Sequence, residues 1–136
     1  MSDKRFKKHP YDPGQVKRYF EGALRKLRTA EKIAYDDREA AYQLAYEAML
    51  KGSIGLIMRH GMRVRSIPGH HLAIIEMSQK IIGEKISPIM DLFEYMRRNR
   101  HSFLYDDISD ISEPELKEAL DVAKKYLHII KEHLKL

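Results

Sequence analysis

The sequence predicts an all-α protein, an antiparallel bundle of four or five helices. Apolar residues recur at helical spacing along nearly the whole chain, and no segment alternates strictly enough to argue for a strand. Helix-start signals recur at Asp12-Pro13, Ser87-Pro88 and Ser112-Glu113-Pro114-Glu115. There a capping side chain stands beside a proline whose missing N–H costs nothing in a first turn. The connections between these segments are short, which favours antiparallel neighbours.

Residues 1–12 read as a basic mobile tail, and 13–136 as one bundle domain. Asp12 caps the first helix, whose apolar stripe is Val16, Tyr19/Phe20, Ala23/Leu24, Leu27, Ala30 and Ala34. Around Asp36-Asp37 the chain turns into a second helix with Ala41, Leu44/Ala45, Ala48, Gly52 and Gly55/Leu56 on one face, ending near Gly61. Its small residues, close to four apart, allow another helix to approach closely. Pro68 and Gly69 interrupt the next stretch. A third helix is expected from about His70 to Ile82, stopping at Gly83. Ser87-Pro88 opens the fourth. A capping box, Ser112 with Glu115, opens the fifth, with Leu116, Ala119/Leu120, Ala123, Leu127, Ile130 and Leu134 inward.

A chain of 136 residues suffices for one core without staples. It holds no cysteine, which suits a reducing compartment. The N-terminus is charged and lacks the apolar centre of a signal peptide. No apolar run approaches the roughly 20 residues that span a bilayer. A cytoplasmic protein without membrane contact is therefore expected. The formal charge of +5 is unevenly spread. Between Ala48 and Ile75 there is no acidic residue, while Lys51, Arg59, Arg63 and Arg65 are positive. Such a local excess attracts polyanions, and otherwise reads as a solvated helix face.

The fourth helix concentrates the question, in "YMRRNRHSFLYDD" from Tyr95 to Asp107. At 100° per residue, Ile89, Leu92, Phe93, Met96, Phe103 and Leu104 share one face. Asp91, Glu94, Tyr95, Arg98 and Ser102 share the opposite one. Arg100 falls inside the apolar face, one turn past Met96, with Arg97, His101 and Tyr105 in a row at its edge. A buried, unpaired guanidinium is very costly. Arg100 therefore either pairs with a carboxylate, or lies at an interface, or lines a cleft and meets a phosphate, which its planar fork suits.

From Asp36 onward the chain resembles the HEPN family of small helical-bundle proteins. The resemblance rests on the alanine-rich second helix, the "GMRVRSIPGHHLAII" junction and "RRNRHSFLYDD". It implies a HEPN-like bundle acting as a homodimer, often partnered by a small nucleotidyltransferase in a toxin–antitoxin pair. It aligns Arg100 with the family's hallmark arginine and His101 with the polar residue after it. Tyr105 stands where family members that cut RNA without metal carry a histidine. On this resemblance Arg100, His101 and Tyr105 are the catalytic candidates.

Arg97, Arg100, Arg63, Arg65 and His71 are the candidates for holding the phosphates of RNA or a nucleotide. Arg63, Arg65 and one of His70 and His71 are expected to face Arg100 across the end of the bundle, beside the N–H groups of the third helix. Histidines adjacent on a helix point about 100° apart, so Gly69-His70-His71 is not expected to chelate a metal. No cofactor is implied. Three functions remain open: a binding module for nucleotide or RNA, a metal-independent ribonuclease, and a non-catalytic protein-interaction module. The fold class does not choose among them.

Overall fold

The computed structural model describes residues 3–105 and 111–136, with residues 101–105 described as backbone only. The described chain is mostly helical: α1 (Pro13–Ile33), α2 (Arg38–Arg59), α3 (His70–Ile82), α4 (Ser87–Tyr105) and α5 (Glu113–Leu134). One 3-10 turn, Glu84–Ile86, leads into α4. Two short strands, β1 (Phe6–Lys8) and β2 (Met62–Val64), complete it.

The starts follow from the capping residues. Asp12 Oδ1 accepts from the backbone N–H of Gly14 and Gln15, with Pro13 at the first helical position. Asp37 accepts from Ala40 N–H and starts α2. Ser112 Oγ accepts from Glu115 N–H at 3.2 Å. Each bond satisfies a donor that the first turn leaves without an intrahelical acceptor.

The apolar stripes become one main core. Phe20, Ala23 and Leu27 of α1 meet Tyr42, Met49 and Leu56 of α2, Phe93 and Met96 of α4, and Leu127 and Ile130 of α5. α2 is buried on more than the single face its sequence pattern suggested, with Tyr42 and Tyr46 fully inside. It is the central helix. Its small residues set the distances: a Cβ added at Gly52 would stand 2.5 Å from Leu127 Cδ2, and one at Gly55 3.3 Å from Tyr19 Cβ. Glycine lets α5 and α1 approach to contact at these two points. Between α2, α3 and α5, Ser53 Oγ and Tyr126 Oη lie 2.6 Å apart, with Ser78 beside the buried phenol and its Oγ donating to the Ile74 carbonyl at 2.8 Å. Burial pushes that phenol up to about 12. Among the described residues, no buried side-chain polar atom lacks a partner.

The wholly antiparallel arrangement is corrected by three contacts. Arg38–Ile111, Ser53–Tyr126 and His60–His133 join α2 or its cap to α5 or the segment just before it, and each spans 73 residues. A constant offset means that α2 and α5 run parallel. α1 is antiparallel to α2, as Lys26–Glu47 near one end and Tyr19–Gly55 near the other require. α4 is also antiparallel to α2, since Asn99 meets Tyr42 while Phe93 meets Tyr46. The bundle is mixed because the connector after α2 is long enough to carry the chain back along that helix. α3 therefore starts beside Tyr46 and runs in the same sense as α2.

The N-terminal segment also departs from expectation. A mobile tail is expected over residues 1–12, but the described residues 3–12 include β1, which pairs antiparallel with β2 in the register Phe6↔Val64, Lys7↔Arg63 and Lys8↔Met62. Phe6 is buried against Ile57, Ala73, Ile74 and Met77, a second cluster roofed by the strand pair. Arg5 is ion-paired to both Asp3 and Glu76, which ties the segment to α3. Strand pairing, the buried Phe6 ring and the Arg5 ion pairs dock it together. A three-residue strand is too short for alternation to register.

Among the described residues, no helix is long and apolar enough to cross a membrane.

Candidate anion-binding site

Arg100 lies on α4 one turn beyond buried Met96, at the level where α4 crosses Tyr46 of α2. Its guanidinium carbon stands 4.9 Å from the centroid of the Tyr46 ring. The arginine that breaks the apolar pattern is thus half-buried against an aromatic face. A guanidinium is weakly hydrated and attracted to the ring's negative face, so such a seat is tolerated without a carboxylate. Among the described residues, no carboxylate lies within ion-pair distance of Arg100.

Arg97 is differently placed. It makes a two-point contact with Glu94, Nε to Oε2 at 2.8 Å and Nη2 to Oε1 at 2.7 Å. Arg98 approaches the same carboxylate at 3.7 Å from an exposed position. Glu94 is held below the usual carboxylate range by its hydrogen bond with Arg97, which outweighs burial. Glu94 thus offsets one of the two cations beside it.

On the other side of Tyr46 stands His71, in the first turn of α3. Its Nδ1 lies 3.0 Å from the Tyr46 hydroxyl. Burial, then His70, Arg100 and Arg97, push the His71 imidazole down to about 4, against a smaller opposing effect of Glu47. Burial pushes the Tyr46 phenol up to about 12, more than Arg100 and Arg97 lower it. Near pH 7 the imidazole is therefore neutral and the phenol protonated. Neither is poised as a general base or acid at that pH. These groups offer charge and hydrogen bonds rather than proton transfer.

Arg97, Arg100 and His71, three of the five phosphate candidates, are brought together. Arg63 is exposed on β2 and lines a cleft of about 200 Å³ with Tyr19, Ser66, His70 and His71. It shares His71 with the cluster from the far side. Arg65 is directed elsewhere: its Nε donates to the Lys4 carbonyl and its N–H to the Arg5 carbonyl, which holds the N-terminal segment. Residues two apart on an extended chain share a face, so the spacing alone predicts the two arginines together; they diverge because Arg65 lies just beyond β2, which ends at Val64. The His101 and Tyr105 side chains lie outside the described residues. Of the adjacent histidines, His71 faces the bundle, while His70 donates from Nδ1 to the Ile67 carbonyl at 3.0 Å. Among the described residues, no group of three or more metal-ligating side chains converges.

Sequence reasoning placed Tyr46 among ordinary packing residues. A signal was present in Tyr42 and Tyr46, one helical turn apart on an alanine-rich face. Two phenols on the buried side of a helix each need a polar partner. Asn99 Nδ2 donates to Tyr42 at 3.3 Å, and His71 meets Tyr46.

The fold and this cluster together define a helical-bundle protein that carries an aromatic-backed arginine beside a neutral histidine. Comparisons with models of protein families, with curated proteins and with solved structures return no match.

Proposed function

We propose that the chain is a HEPN-type module that binds the phosphates of a nucleotide or of RNA through Arg100 and Arg97, beside His71. The observation that carries this reading is the seat of Arg100. Its guanidinium is held on Tyr46 at 4.9 Å with one face covered. Pre-positioning of this kind lowers the ordering cost of binding, and the planar fork suits a phosphate. The field of the two arginines, felt at His71, is of the sign that draws an anion. The family resemblance adds a homodimeric site and a nucleotidyltransferase partner to the proposal.

Fluorescence anisotropy with labelled single-stranded RNA and with a labelled adenine nucleotide tests it. Arg100→Ala should weaken binding about 10–100-fold, since hydrogen bonds to charged groups contribute about 1.5–3 kcal/mol. RNA binding should also weaken steeply with salt. Affinity unchanged in Arg100→Ala overturns the assignment. The same RNA is then incubated in EDTA. Cleavage that disappears in both Arg100→Ala and His101→Ala would make the module a metal-independent ribonuclease.

A further inference from the structure

A second pair of histidines meets far from the arginine cluster. His60 caps the C-terminal end of α2, and His133 lies in the last turn of α5. Because these helices run parallel, residues 73 apart come to the same level, and the two Nε2 atoms stand 3.0 Å from one another. The ring centroids are 5.3 Å apart and both side chains are exposed. We propose that His60 and His133 form a two-imidazole chelate for a divalent transition-metal ion, Cu²⁺ or Ni²⁺ in preference to Zn²⁺.

The geometry makes the choice of metal. With metal–nitrogen bonds of about 2.0–2.1 Å, nitrogens held 3.0 Å apart subtend about 95° at the ion. That is a cis angle of a square-planar or octahedral site. The tetrahedral angle that zinc adopts needs a separation of about 3.3 Å at the same bond length. Imidazole nitrogen suits zinc as well as copper and nickel, so beside the angle the preference rests on the affinity order of the divalent ions, which copper heads.

The surroundings fit a cation. Both histidines sit at helix C-termini, where unpaired carbonyls carry partial negative charge. The nearest cation in sequence, Arg59, has its guanidinium carbon 4.7 Å from the centre of the Tyr11 ring, and its charge still opposes a cation at His60. In the metal-free pair one Nε2 carries the shared proton and the other accepts it. On binding, the donor ring moves its proton to Nδ1, both rings pivot about their Nε2 atoms so that the lone pairs converge with the 3.0 Å separation kept, and no proton is lost overall. Water completes the coordination.

The test uses the full chain without an affinity tag, with CuCl₂ as probe in a non-chelating buffer. Calorimetry gives the affinity, and electron paramagnetic resonance counts the coordinated nitrogens. One Cu²⁺ per chain with two nitrogen ligands is expected. Loss of a hydrogen-bond partner that merely orients a metal ligand typically costs about 10–100-fold, so His60→Ala and His133→Ala, which remove a ligand, should each lose at least about tenfold in affinity. His128→Ala, nearby on α5, should lose none. Far-UV circular dichroism confirms that the variants fold, and Cu²⁺ should raise the Tm of the native chain but not of His133→Ala. Copper binding that survives either His60→Ala or His133→Ala overturns the site, as does its absence in the native chain. Zinc bound as tightly as copper overturns the 95° chelate.

Discussion

Arg100 illustrates how one residue can be out of place in a pattern and well placed in space. On a helical projection it interrupts an apolar face, yet the ring of Tyr46 lies under its guanidinium at 4.9 Å. Methionine would fill the same volume and keep a favourable contact with the ring. Arg100→Met should therefore leave stability within about 1 kcal/mol, as tolerated core swaps do, and still weaken binding of a labelled polyanion about 10–100-fold. Equal loss of both, read by urea unfolding and anisotropy, would give the residue a structural role only. His71 supplies a prediction of pH dependence. Its imidazole is held near 4 in the fold against an ordinary 6.5. Between these values the unfolded chain takes up a proton that the folded chain refuses, so stability falls as pH drops through that window and is constant above it. After allowance for screening by water at a partly exposed group, the loss is about 1–2 kcal/mol. His71→Gln should flatten the denaturation midpoint between pH 4 and 6.5, and an unchanged slope would place the effect elsewhere. A bound phosphate reverses the bias by favouring the imidazolium, so phosphate binding near pH 5 should take up protons. Calorimetry in buffers of different ionisation enthalpy reads that uptake directly.

Among the elements, α2 is the one whose composition governs the rest. Its alanines and glycines bring α1 and α5 close, and the same small residues leave its tyrosines to fill the centre. The glycines are not equivalent. At Gly52 an added methyl would meet Leu127 Cδ2 at 2.5 Å and Ile130 Cδ1 at 3.3 Å, both side chains fully buried. At Gly22 of α1 it would meet the end of the flexible Lys51 chain, with Cε at 2.8 Å. Gly22→Ala should raise stability by up to about 1 kcal/mol through helix propensity. Gly52→Ala should lower it, because overpacking costs about 1–3 kcal/mol against the same gain. Chemical denaturation of the two variants checks the sign, and a stabilised Gly52→Ala would mean that α5 is free to move away. Element starts were legible because a cap is a local device: Asp12, Asp37 and Ser112 each act within three residues. The direction of α3 was not. It depends on where a connector with its own strand delivers the chain, and hydrophobic periodicity carries no sign of direction.

For the whole molecule, the N-terminal segment determines how the second cluster is closed. Phe6 packs over Ile57, Ala73, Ile74 and Met77, and β1 completes its hydrogen bonds on β2. Phe6→Ala should destabilise the protein by about 3 kcal/mol or more, as buried phenylalanine truncations do. Limited proteolysis should then cut first within residues 3–12. Cleavage distributed evenly along the chain would indicate that the segment is no separate latch. The fold also decides which cations act together. Arg63 and Arg65 are two residues apart in sequence, yet one lines the cleft beside His71 while the other holds the Lys4 carbonyl. His60 and His133 lie 73 residues apart and come within 3.0 Å.

By itself the sequence determined the helical class, the caps, the buried stripes and the odd position of Arg100, since each depends on neighbours within a turn or two. It also set Arg97, Arg63, Arg65 and His71 beside that arginine as phosphate candidates, though not the ring that lies between Arg100 and His71. Tertiary structure alone decided the parallel run of α2 and α5, the docking of the N-terminal strand, and the meetings of Arg100 with Tyr46 and of His60 with His133. Local patterning reports which face of a helix is buried. The residue it is buried against, and the direction from which that residue comes, depend on how distant segments pack.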